Sequence, residues 1–109
     1  MKNKSRVYDI NGNFIKEIDE RSLDEAISNN ITLCRFSCKN LISSAGLDTA
    51  TQQNAALGIY EPARCEAIKN YIAACRNEYL RCKALILAAT TNDEADSVTF
   101  IAPPVPEGL

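Results

Sequence analysis

The side chains of this sequence with most scope for chemistry are five cysteines, Cys34, Cys38, Cys65, Cys75 and Cys82. A zinc site normally takes pairs of thiolates two to four residues apart, twice over, and often a histidine. Cys34 and Cys38 have the spacing C-x-x-x-C, but Cys75 and Cys82 are two helical turns apart and cannot share one ion. The chain contains no His. That removes the commonest general base and the commonest metal ligand together. A nucleophilic cysteine would need such a base. The thiols therefore read as small apolar residues, all of them free. The paired acids Asp24-Glu25 and Asp93-Glu94 fit helix-start electrostatics better than an acid–base couple. No catalytic residue, metal or cofactor is expected, and the chain reads as a non-enzyme.

Three of those cysteines lie on a longer pattern. Cys65, Ile68, Ile72, Cys75, Tyr79, Cys82, Ile86 and Ala89 recur at alternating spacings of three and four. This is the a/d seam of a heptad repeat, and its knobs require facing holes on a partner helix. The spacing predicts one helix over about residues 62–90, a rod roughly 42 Å long. Pro62 suits its first position. The e positions, Lys69, Arg76 and Lys83, are all basic, and Glu78 at g precedes Lys83 by the offset that pairs across a parallel coiled coil. Two readings stand side by side: self-association through this helix, or a solvated basic rim around an intramolecular seam. The first predicts a homo-oligomer whose interface includes Tyr71, Arg76, Glu78, Tyr79 and Lys83. Where protomers meet, Arg76, Asn77, Tyr79, Arg81 and Lys83 could together hold an anion, although no Gly-rich phosphate loop supports such a site.

The elements around this helix follow from local signals. Two alternating runs, Arg6-Val7-Tyr8-Asp9-Ile10 and Asn13-Phe14-Ile15-Lys16-Glu17-Ile18, flank Asn11-Gly12. That pair predicts a β-hairpin with positive φ at both central positions, and Val7, Phe14 and Ile18 are expected to face the core. Ser22-Leu23-Asp24-Glu25 is a capping box. It should open a short helix over residues 23–28, stopped by Asn29-Asn30. Residues 31–36 then read as a third strand with Ile31, Leu33 and Arg35 on one face. Gly46 is a stop. Asp48 or Thr49 caps a helix over residues 49–57, ended by Gly58. Asn92 and Asp93 begin a short extra turn, and residues 98–101 read as a last strand.

The expected architecture is α+β: a small antiparallel sheet packed on helices and dominated by the long C-terminal helix. Residues 1–102 form one domain, and residues 103–109 a Pro-rich tail barred from central strands and helix interiors, which is read as an exposed docking arm. Net charge is −2 and aromatic content 6%, so neither nucleic acid nor an anionic membrane is an expected partner. The longest apolar stretch, Ala84-Leu85-Ile86-Leu87-Ala88-Ala89, is too short to span a bilayer. The opening Met1-Lys2-Asn3-Lys4-Ser5-Arg6 carries no apolar signal segment, so reduced thiols in a cytosol are expected.

Two stretches resemble small tail-assembly and tail-associated proteins of bacteriophages. They are Gln53-Asn54-Ala55-Ala56-Leu57-Gly58-Ile59-Tyr60 and Ala67-Ile68-Lys69-Asn70-Tyr71-Ile72-Ala73-Ala74-Cys75-Arg76, with Val98-Thr99-Phe100 and the Pro-rich end beyond. The opening Val7-Tyr8-Asp9-Ile10-Asn11-Gly12 is similar too. The resemblance implies a non-enzymatic phage-derived assembly or structural protein acting through protein–protein contacts, in the host cytoplasm or the virion. Its partner would be another phage or host protein. It carries over no catalytic residue. The alternative is a small oligomeric anti-defence protein that sequesters an anionic small molecule or blocks a host protein.

Overall fold

A computed structural model describes residues 4–109; residues 1–3, the start of the opening segment discussed above, lie outside the described residues. The fold is α+β, with strands β1 (Lys4–Tyr8) and β2 (Phe14–Asp19) followed by helices α1 (Leu23–Ser44), α2 (Thr49–Ala56), α3 (Pro62–Leu87) and α4 (Asn92–Ser97). The seam helix forms as its pattern requires, starting at Pro62 and ending a little short of the expected limit. It is not alone, because α1 has 22 residues against its 26.

The expected break at Asn29-Asn30 and the strand over residues 31–36 are replaced by the middle of α1. Asn costs a helix only a few tenths of a kcal/mol relative to the better formers. Here the Asn30 amide also donates to the Ala26 carbonyl at 2.8 Å and to Asp96 at 2.9 Å. The inward residues Ala26, Cys34, Cys38, Leu41 and Ala45 follow helical spacing along the whole element. Ser22 caps α1 by accepting from the Glu25 amide, and Gly46, at φ 81°, ends it in the left-handed conformation few other residues adopt cheaply. Asp48 caps α2 through the Thr51 amide. Thr91 caps α4 through the Glu94 amide.

α1 and α3 run antiparallel, which the two core clusters make plain. One joins Ala26 and Cys34 near the start of α1 to Cys82 and Ile86 near the end of α3, with Ala95 of α4. The other joins Cys38, Leu41 and Ile42 to Ile68, Tyr71 and Cys75, closed by Leu47 and Ala55 from the turn before α2 and from α2 itself. The heptad seam is thus covered inside the chain by α1 and α2. Cys65, Ile68, Cys75, Cys82 and Ile86 are buried, Ile72, Tyr79 and Ala89 half-buried. Tyr71, one position off the seam at g, is buried as well, because α1 and α2 extend the covered face to that side.

Residues 98–101 are extended but pair with no strand among the described residues, leaving a sheet of β1 and β2 alone. Val98 and Phe100 pack on the first cluster and Leu109 on the second. The Pro-rich end is therefore laid along the helices, with Pro103 and Pro106 half-buried, and not extended as a free arm.

The hairpin closes differently from the expectation. Among the described residues only glycines have positive φ, so Asn11 keeps an ordinary conformation and Gly12, at φ 82°, alone supplies the left-handed turn. Asp9 organises the loop, its carboxylate accepting from the amides of Asn11 at 2.9 Å and Asn13 at 2.8 Å. A bulge between Val7 and Tyr8 then brings Tyr8 opposite Phe14. Among the described residues the strands pack chiefly on each other, and Phe14 and Ile18 are exposed and Val7 half-buried, contrary to their expected place in the core. The molecule measures 69 × 26 × 20 Å, with a radius of gyration of 19.5 Å. A compact chain of this length would have about 13 Å.

Candidate functional site

The hairpin holds the densest set of exposed apolar residues. Tyr8, Phe14, Ile15 and Ile18 are each about half exposed, and Ile10 at the tip is fully exposed. The Tyr8 and Phe14 rings meet edge to face at 5.9 Å, and the Arg6 guanidinium lies 5.9 Å from the Phe14 ring. A lone two-stranded hairpin is marginal in water. What fixes this one is its base.

That base is Arg21, 5% exposed. Its Nε and Nη2 donate to the two carboxylate oxygens of Asp19 at 3.0 and 2.7 Å. Its Nη1 and Nη2 donate to those of Asp96 on α4 at 2.9 and 2.8 Å. Asn92 of α4 donates to the Arg21 carbonyl at 2.9 Å. These bonds hold the Asp19 carboxyl far below the ordinary carboxylate range, chiefly through the Arg21 side chain. Asp19, Asp93 and Asp96 bring carboxylate oxygens within 4.8 Å of one another, but the guanidinium already supplies the positive charge between two of them. Sequence reasoning gave Arg21 no role, since a partner 75 residues away leaves no local signal.

The five residues expected at an interface fall into separate environments. Tyr71 is 2% exposed and belongs to the second core cluster. Arg76 is exposed; Tyr79 and Lys83 are half-buried. Glu78 is engaged within the chain. Its carboxylate accepts from Arg81 Nη2 at 2.7 Å and from the Ile101 amide at 2.8 Å, while Arg81 Nη2 also donates to the Thr99 carbonyl at 2.8 Å. Glu78 and Arg81 thus clasp the backbone of the C-terminal segment. The Arg81 side chain, then burial opposing it, then the Ile101 amide set the Glu78 pKa at about 2. Within the chain, Glu78 is engaged by this clasp.

The thiols are all free. Cys34 and Cys82 share the first cluster, and Cys38 packs on the cluster that contains Cys75. Burial pushes Cys82 up to about 11 and raises Cys38 as well. Thiols held protonated in this way are poor nucleophiles, in keeping with their reading as core residues. Among the described residues, no helix is long and apolar enough to cross a membrane. Comparison of the chain with protein-family models, with curated proteins and with solved structures finds no match.

Proposed function

We propose that this chain is a non-enzymatic protein that works by docking another protein on its N-terminal hairpin. The observation behind this reading is the set Tyr8, Ile10, Phe14, Ile15 and Ile18, solvent-exposed on one hairpin, with Tyr8 and Phe14 on one face and Ile18, across the bulge, on the other. Exposed apolar side chains gathered on one small element mark an interaction site. A hairpin with unpaired edges offers a partner backbone hydrogen bonds as well as side-chain contacts. The resemblance to bacteriophage tail-assembly proteins supports an assembly role, with another phage or host protein as the partner. Self-association belongs to the same proposal through exposed surface, since α1 and α2 occupy the α3 seam.

The test is affinity capture from infected cells with the wild-type chain and with an Ile10→Lys/Phe14→Lys variant. Both side chains are exposed, so the variant should melt with the wild type. The expected result is a stoichiometric partner retained by the wild type and lost by the variant. A partner retained equally by both would refute the hairpin as the docking element.

A further inference from the structure

Toward the other end of the helical pair from the hairpin, a groove between α1, the turn before α2 and α3 encloses about 500 Å³. Small-molecule sites usually fall within about 300–1,000 Å³. Cys38, Ile42 and Leu47 give the groove apolar surface, and Tyr79 of α3 adds an aromatic wall. Arg35 and Lys39, one turn apart on α1 and both exposed, line it as well. Arg76, exposed on α3, is near enough to Cys38 to oppose the rise that burial imposes on that thiol. None of these three cations has a salt-bridge partner among the described residues. The acid lining the groove, Asp48, is engaged as the α2 cap, accepting from the Thr51 amide at 2.7 Å. Apolar surface and positive charge without an ion-pair partner among the described residues therefore converge.

We propose that this groove binds a small amphipathic anion. Its apolar body would lie on Cys38, Ile42, Leu47 and Tyr79, and its carboxylate or phosphate between Arg35 and Lys39. Arg offers a planar fork to such a group and Lys a mobile point charge. A neutral ligand of the same shape forfeits both contacts. The site is independent of the hairpin, so either proposal can fail alone.

The test is a titration of the isotopically labelled full chain, followed by amide chemical shifts. The probes are 1-naphthyl phosphate and decanoate, with 1-decanol as the uncharged counterpart. Both anions should give saturable shifts centred on Lys39, Leu47 and Thr49, and 1-decanol should bind at least about tenfold more weakly. An Arg35→Gln/Lys39→Gln variant should keep the wild-type melting temperature and lose affinity at least about tenfold. Should the double variant melt early, Arg35→Gln alone carries the same comparison. Saturating anion should also slow alkylation of Cys38, the half-buried thiol among four buried ones. Shifts that fail to saturate at millimolar probe, undiminished binding by the variants, or an unprotected Cys38 would each overturn the site. So would groove amides that move on dilution of the protein alone, which would make the groove a contact between copies.

Discussion

The Arg21 guanidinium takes both oxygens of the Asp96 carboxylate with its two terminal nitrogens, joining residues 75 positions apart. The same guanidinium holds Asp19, the last residue of β2. One buried cation thereby fastens the hairpin base to α4. Arg21→Ala would leave two carboxylates facing each other without the charge that pays for their burial. We expect the melting temperature to fall by at least about 5 °C, with faster proteolysis between β2 and α1. Arg21→Lys should recover less than half of that loss, because one ammonium cannot serve two carboxylates bidentately. Full recovery by lysine would show that only charge matters there.

The seam makes a graded prediction. Ile68 and Ile86 are fully buried, whereas Ile72 is half-buried. Truncating either of the first two to Ala should cost about 2–5 kcal/mol in urea unfolding, and Ile72→Ala less. Equal losses at the three positions would contradict the packing of α1 against α3.

Acid should loosen the C-terminal segment. The Glu78 carboxyl sits at about 2 in the fold against an ordinary 4.5. As pH falls below 4.5 the unfolded chain binds a proton that the folded chain refuses. The stabilising contribution is thus full above pH 4.5 and is lost as pH falls through about 2, the Asp19 shift adding in the same direction. Melting temperatures measured from pH 7 to pH 2 should decline over that window, and less steeply in Glu78→Gln. An unchanged slope in the variant would remove Glu78 from the account.

Thiol chemistry should follow burial. In denaturant without reductant all five cysteines should titrate. In the native state Cys38 should react first, since the other four are buried. Its rate should stay below that of a free thiol at neutral pH, because burial raises its pKa. A missing pair of thiols in denaturant would point to a disulfide.

The elements legible in the sequence were those specified by neighbours. Ser22 and Asp48 as caps, Gly46 and Gly58 as stops and Pro62 as a start act within one helical turn, and the α3 seam is a long periodic pattern. The stretch Ile31-Thr32-Leu33-Cys34-Arg35-Phe36 was not legible, because a short alternating window fits a strand as well as a helix. In the helix it packs on α3 through Ile31 and Cys34, and Asn30 just before it reaches Asp96, 66 residues on. The basic pair Arg35 and Lys39 shares one helix face only once that stretch is helical, so the groove was hidden by the same ambiguity. Arg21 was hidden for a related reason: both of its acids are polar residues in ordinary surface patterns, and only folding brings Asp96 to it.

The length of the molecule bears on how its mass must be measured. A compact protein of twice this chain length would have a radius of gyration of about 17 Å, less than the 19.5 Å of this single chain. On a gel-filtration column calibrated with spherical standards, a lone copy should therefore elute ahead of its true weight and pass for a dimer. Light scattering or sedimentation equilibrium, which report mass without regard to shape, can separate true self-association from a rod travelling alone.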